Sequence, residues 1–491
     1  MRRVRGAAEH GRVKAMLFQP VSPHQGELSI LSGPRPAAHR QFLIHQADGE
    51  ELAQYLRLRR ASFVIEQGMF AGSDRDDVDD DPRTVVLVAT SAEGTVLGGV
   101  RLAPACSPDI GWWTGSRLVV DRSSRATGLG PALIRAACAQ VESVGALRFE
   151  ATVQRRYAAM FAGLGWTEHG ACTVAGRPHA VMRWPPDPIA RTVAATKAFL
   201  GEILDPLRAV PNGLGPAGFV GDDGVPVPGS DVVAACDAII PSMVERDPEW
   251  AGWCSVLVNV NDLSAMGATP TGLLDAVGAP NRSVLTRIVR GVADASQAWR
   301  LPVLGGHTQL GVPASLAVTA FGRTTDPVPA GGGSAGDALR LTVDLAGGWR
   351  PGYHGRQWDS TSHRSADELA QMASFVAATR PHAAKDVSMA GIAGTAGMLA
   401  EAGGVGAEID VAAVPRPPAA EMGSWLTCFP GFGMLTAGAA RSAALPGGVA
   451  DRVCGRLTPE PGVRLRWPDG VATTVVAGGV TGLGTACPRS R

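Results

Sequence analysis

The chain has 491 residues, 45% of them apolar, and its 45 lysines and arginines balance 45 aspartates and glutamates. At roughly 150 residues per domain, that length holds two to four domains with well-formed cores. Zero net charge excludes a global basic field that would draw the chain to nucleic acid or to an anionic membrane, so neither is expected as a partner. No run of about 18 apolar residues occurs, so no membrane span is expected.

Basic residues are almost all arginine; the lysines are Lys14, Lys197 and Lys385. The eight cysteines are scattered and none falls in a C-x-x-C pair. Zinc spacing and a dense disulfide framework are therefore absent, and buried free thiols in a reducing cytoplasm are expected. The basic start, Met1 to Lys14, is not followed by an apolar stretch, so it does not read as a signal peptide.

Residues 1–41 are rich in Pro, Gly, His and Arg, which predicts a flexible arm with one strand around Gly26–Leu31. Glu50–Glu66 carries apolar residues at helical spacing. Thr84–Ala89 and Thr95–Leu102 are β-rich runs joined by the turn Ser91–Gly94. A short strand Arg117–Val120, a helix Gly128–Val144, a strand Leu147–Val153, a helix Arg155–Gly163 and a last strand Ala180–Trp184 complete an α+β unit over 42–184. Within it, Asp74–Asp81 holds six carboxylates and reads as a solvated loop. Residues 185–188, Pro-Pro-Asp-Pro, cannot continue a helix or a central strand and predict a linker.

At Arg125-Ala126-Thr127-Gly128-Leu129-Gly130 a strand runs through a turn into a helix. Unpaired N–H groups at a helix start attract anions, and glycines let a phosphate approach the backbone. This segment resembles the R-x-x-G-x-G loop of the GNAT acyltransferase superfamily. The resemblance implies a GNAT-like mixed sheet and acetyl-CoA, or another acyl-CoA, as cofactor. Its pantetheine arm would lie along Val119 and Val120, and its pyrophosphate on residues 125–130. The position of the family's usual acid tyrosine is Phe161, so Tyr157, one turn earlier, is the candidate acid. Glu66, Glu150 and His179 are candidate general bases.

Beyond residue 188 several motifs carry aspartates: Gly221-Asp222-Asp223-Gly224 follows a Gly/Pro-rich loop, Val232–Asp237 reads as a strand ending in a carboxylate, and Val258–Asp262 is a third. Carboxylates at the ends of separate strands can converge, as Mg²⁺ bridging ATP phosphates requires. Asp262-x₄-Gly267-Ala268-x-Pro270 resembles the signature of the aminoimidazole-ribonucleotide (AIR) synthase superfamily. That resemblance implies a two-part AIR-synthase-like α/β domain over 189–325 and 335–490, with dimerisation through the first part and ATP closed in by the second. Asp222, Asp223, Asp237 and Asp262 would hold Mg²⁺ and phosphates, with Asn259, Asn261 and His307 beside them. Kinases of the superfamily carry Asp-x-Ser-Asp where this chain has Asp386-Val-Ser-Met389; Lys385, next to Asp386, would face phosphate.

GNAT followed by AIR-synthase-related is the arrangement of a fused bacterial family associated with nitrogen starvation and nitrilase clusters. The expectation is a cytoplasmic bifunctional enzyme and homodimer, an N-acetyltransferase joined to a Mg-ATP-dependent activity on a small nitrogen metabolite. The alternative is an acyltransferase carrying a nucleotide-sensing module.

Overall fold

The computed structural model describes residues 42–486 except Ala126 and Asn212. The predicted arm and its strand around Gly26–Leu31, and Ala126 in the glycine loop, lie outside the described residues.

Three main sheets follow one another along the chain. The first has seven strands, in the order Leu43–Gln46, Val85–Thr90, Val96–Pro104, Trp112–Val120, Arg148–Gln154, Arg177–Trp184, Thr167–Val174. All neighbours are antiparallel except Trp112–Gly115, which pair in parallel with Arg148–Ala151. The predicted strand at Arg117 thus starts five residues earlier, and Thr167–Val174 was not anticipated because its residues are nearly all exposed.

Helix Leu129–Ser143 packs its apolar stripe, Leu129, Leu133, Ile134, Ala137 and Val141, into this sheet's core. The predicted helix over Glu50–Glu66 is α-helical from Gly49 to Arg59 and continues as a π-helical turn to Glu66.

The acidic run is only partly the solvated loop expected: Asp76, Asp77 and Asp80 are exposed, but two of its acids are not. Asp74 and Asp79 are buried against the guanidinium of Arg59, at 2.7 and 2.6 Å, and Arg101 reaches Asp79 at 2.8 Å. Spacing along the chain could not show this, because the arginines come from elements separate from the run.

The chain then passes Pro185–Asp187 directly into a helix opened by Pro188, where a missing N–H costs nothing. The second sheet is five-stranded: Val303–Leu310, Thr269–Ala279, Ser315–Arg323, Val232–Ala238, Val225–Pro226. The third is seven-stranded and runs from Ala383–Asp386 at one edge to Ala472–Val476 at the other. Both are mixed, each with one parallel pair. Helix Pro248–Ala265 has 15 of its 18 residues buried. A helix apolar all round must be enclosed, and this one packs on strands of the second sheet and on the edge strand of the third.

The D-x₄-G-A-x-P signature is the end of that helix. Gly267 sits at φ +64° just past it, where an N–H from Gly267 reaches Ser264 O and one from Ala268 reaches Leu263 O. A left-handed residue there favours glycine. Gly267→Ala should cost about 1 kcal/mol, read as a lowered urea midpoint with an unchanged slope.

The first unit docks on the third sheet. Ile110 and Leu147 belong to the same buried cluster as Trp425 and Trp467. Arg148 lies 3.9 Å over the Trp112 ring and pairs with Asp469 at 2.7 Å. Gly423 meets Gly145 so closely that a Cβ would stand 2.1 Å from the Gly145 carbonyl oxygen.

Candidate active site

The structure does not bring the first unit's candidate groups together. Glu66 holds Arg125 through two 2.6 Å hydrogen bonds. That pairing lowers the Glu66 pKa and uses the guanidinium expected to hold a pyrophosphate. Glu150 is buried and clamped by Arg148 at 2.9 Å and Arg183 at 2.6 Å. It is part of the seam to the third sheet.

His179 is buried, its Nδ1 on the Arg177 carbonyl at 2.9 Å. It pairs with Gln154, four residues along the strand from Glu150, so about 13 Å separates them. Tyr157 is exposed under the Arg156 guanidinium. Leu129 is a core residue, and the Thr127 hydroxyl donates to Ser124 O at 2.6 Å. Val119 and Val120 pair with Gly99 and Gly98 on the neighbouring strand, and Gly128 is the left-handed cap of the helix that Gly130 enters.

A second set does converge. Ligand oxygens of Asp223, Asp262 and Asp386 lie within 4.8 Å of one another. They arrive by different routes. Asp223 comes from the loop before the second sheet, Asp262 from the last turn of the buried helix, and Asp386 from the end of an edge strand of the third sheet. Asp262 is thus on a helix, not at a strand end.

Asp237, on strand Val232–Ala238, is an acidic neighbour of Asp262. Asp222 accepts the Ala330 N–H at 2.8 Å and the Asp223 N–H at 2.9 Å. Asn261 ties the helix to the third sheet's loop through Gly431 O at 2.7 Å. Asn259 donates to Ser255 O, and its own Oδ1 is buried without a partner. Lys385 is buried with its ammonium on Asp223 and 3.8 Å from Asp222, so it faces carboxylates.

His307 stays apart. It lies on the wholly exposed edge strand Val303–Leu310, three strand spacings or about 14 Å from the strand of Asp237.

Crowding these acids out of water has a cost that shows in their titration. Burial pushes Asp262 and Asp386 well above the usual carboxylate range, and their acidic neighbours add to it. Burial raises Asp222 to about 6 against the pull of Lys385. Burial draws the Lys385 pKa down, but Asp223 and Asp222 outweigh it and hold the ammonium charged. Hard oxygen donors at this spacing, short of positive charge, are the donor set that Mg²⁺ takes. The residues present therefore fit that ion.

The chain matches the AIR synthase related protein, N-terminal domain, over residues 221–324 and the corresponding C-terminal domain over residues 330–467. It is 35% identical over 231 residues to an uncharacterized protein of Synechocystis sp., covering 45% of this chain and 71% of that one.

This chain belongs to the AIR-synthase-related family.

Two further relatives carry named activities. A thiamine-monophosphate kinase of Synechococcus elongatus is 33% identical over 117 residues, 22% of this chain and 36% of that protein. A selenide, water dikinase of Carboxydothermus hydrogenoformans is 33% identical over 123 residues, 24% of this chain and 34% of that protein. The match thus spans about a third of each kinase.

The AIR-synthase-related part has the expected α/β architecture with two mixed sheets. The expected enzyme class, N-acetyltransferase, is overturned. The relatives with named activities are kinases, and the acid–base candidates of the first unit are locked in ion pairs or far apart. No helix among the described residues is long and apolar enough to cross a membrane, and the seven described cysteines are free.

Two participants escaped the sequence. One is the Ala330 N–H, which holds Asp222. The other is Lys197, whose charge acts on both Asp237 and Asp386. The signal for Lys197 was composition, since the chain has only three lysines.

An acid whose pKa is raised by folding stabilises the fold fully below its unfolded pKa, about 3.9, and loses that contribution as pH rises through the folded value. The metal-free Asp222→Asn variant should therefore gain in Tm relative to the parent as pH rises from about 4 through about 6. A gap that stays constant across that window contradicts the assignment.

Proposed function

We propose that the AIR-synthase-related part is an ATP-dependent phosphotransfer enzyme acting on a small metabolite, with Mg²⁺ held by its carboxylate cluster. One observation carries this: Asp223, Asp262 and Asp386 place ligand oxygens within 4.8 Å of one another beside a buried lysine. The likeness to two kinases supports it.

When bound, Mg²⁺ neutralises charge on the phosphates and orients them. The chain's own groups do the rest. Asp262 and Asp386 offer oxygens of fixed position, because the helix and strand that carry them are buried. The Ala330 N–H and Lys385 hold Asp222 and Asp223 in place. Asn261 fastens the helix to the glycine loop at Gly431, so both halves close on the same point.

The test is release of ADP from Mg-ATP by the full chain, with thiamine monophosphate, selenide and small nitrogen metabolites as acceptors. Binding at 100 times Kd raises stability by about 2.7 kcal/mol, visible as a rise in Tm. Failure of Mg-ATP to shift Tm ends this proposal. A second reading, nucleotide sensing without chemistry, is favoured by Met389. It is 43% exposed where kinases of the superfamily have an acceptor-side aspartate. A Tm rise without ADP release selects it.

Residues 42–184 are read as a GNAT-like unit of the nitrogen-starvation fusion type, serving as a docked scaffold. The sheet that opens beyond its short parallel pairing and the shared core with the third sheet support this.

A homodimer through the second sheet is also proposed. Its edge strand Val303–Leu310 leaves eight residues exposed, with Leu304 64% and Leu310 51% accessible. Unpaired edges of this kind invite pairing. Leu304→Lys should shift the protein toward monomer in sedimentation velocity; a parent that is already monomeric removes the proposal.

A further inference from the structure

The five acids of the cluster are not equivalent. All four oxygens of Asp222 and Asp223 are engaged by the protein itself. Asp222 takes the Asp223 and Ala330 N–H groups at 2.9 and 2.8 Å. Asp223 takes the Lys385 ammonium on one oxygen and the Asp386 N–H on the other, at 3.0 Å. The ammonium also stands 3.8 Å from Asp222. Among the described residues no cationic side chain is in ion-pair contact with Asp262 or Asp386. Asp262 instead has further acids, Asp386 and Asp237, as its charged neighbours.

The cluster therefore has a closed half and an open half. Lys385 is 2% exposed, so its charge is held out of water. Moving it off Asp223 to free that carboxylate for a metal would strand a charged amine in the interior, a heavily disfavoured state.

Resting on the Mg-ATP reading above, we propose that Lys385 is a resident cation that occupies the Asp222–Asp223 half of the site in place of a metal ion. Nucleotide is then held with a single tightly bound divalent ion, on Asp262 and Asp386. A lysine ammonium carries one charge and needs no free metal. The closed half stays assembled at metal concentrations that would empty a second ion site, while only the open half responds to divalent cation.

The measurement is a Mn²⁺ titration of the full chain, followed by electron paramagnetic resonance in the presence of β,γ-methylene-ATP. One tightly bound Mn²⁺ per chain is expected, and Lys385→Gln should admit a second by releasing Asp223. Should that variant fail to fold, the charge-neutral pair Asp223→Asn with Lys385→Met tests the same point. It removes the closed half as a unit and should keep one Mn²⁺, weakened by no more than the about 10–100-fold that losing a supporting partner of a metal ligand costs.

Two or more tight Mn²⁺ ions on the parent leave the nucleotide–metal reading standing and overturn the role of Lys385. That role is equally overturned if Lys385→Gln still binds one, or if the paired variant loses its ion. No tight Mn²⁺ on the parent overturns both.

Discussion

Asp262→Asn should raise the stability of the metal-free protein and abolish its response to Mg-ATP. Asp262 is buried in the last turn of an enclosed helix, and burial together with Asp386, Asp237 and Asp223 disfavours its charge. Asparagine has the same shape and no charge, so the repulsion among neighbours falls. Relief of an unpaired buried charge is worth about 1–2 kcal/mol, a gain in Tm of a few degrees for a chain this size.

The same change removes an oxygen from the open half of the cluster. Loss of one preorganised electrostatic contact costs about 10²–10³ in turnover, and Mg²⁺ should no longer raise Tm with ATP. Opposite signs in the two measurements are what a site that trades stability for binding shows. If Asp262→Asn lowers the metal-free Tm, the carboxylate is serving the fold and the site assignment fails.

Arg59→Leu should be the most damaging single change in the first unit. The Arg59 side chain is fully buried and binds Asp74 and Asp79, whose side chains are themselves 3% and 6% exposed. Removing Arg59 strips both acids of their closest cation, and although Arg101 still reaches Asp79 and Arg117 still reaches Asp74, the loss should approach the about 3–5 kcal/mol of a broken buried pair. Urea unfolding followed by tryptophan fluorescence reads it.

The sign of the pH dependence follows from Asp79. Burial raises its pKa, but its bonds to Arg59 and neighbouring charges outweigh that and hold it far below the usual range. An acid with a depressed folded pKa stabilises above its unfolded value and loses that contribution as pH falls. The deficit of Arg59→Leu should therefore shrink on acidification below about pH 4. Equal deficits at pH 7 and in acid would show that Arg59 acts through packing alone.

Much of the second and third sheets' logic could be read from the chain. D-x₄-G-A-x-P was legible because it is local. The glycine is set by a left-handed cap, and the aspartate lies about one turn back on the same helix, so one short stretch of sequence carries both. Asp222, Asp223 and Asp237 were legible for a similar reason, the first two standing after a Gly/Pro-rich loop and the third at the end of a short apolar run. Their meeting with Asp386 was implied only by family likeness, because no spacing links residues 223, 262 and 386.

The first unit was harder. Glu66 and Arg125 are 59 positions apart, and each looked like a free functional group until the fold paired them. Glu150 has the composition of a base and the position of a seam residue. Asp74–Asp81 looked solvated throughout because charge runs usually are, and the arginines that bury Asp74 and Asp79 come from other elements of the unit. His307 was drawn to the site by its neighbours Gly305 and Gly306, yet strand order carries it to the far edge.

By itself the amino-acid sequence determined which acids are available, the cap that ends the buried helix, and the scarcity of lysine that makes Lys385 and Lys197 conspicuous. Only the tertiary structure decided which acids meet, which are already satisfied, and that Lys385 spends its charge on Asp223. Ion pairing in a buried site depends on through-space distances of a few ångströms between groups far apart along the chain. Local propensity does not encode such distances; they exist only once the sheets and the helix between them have packed.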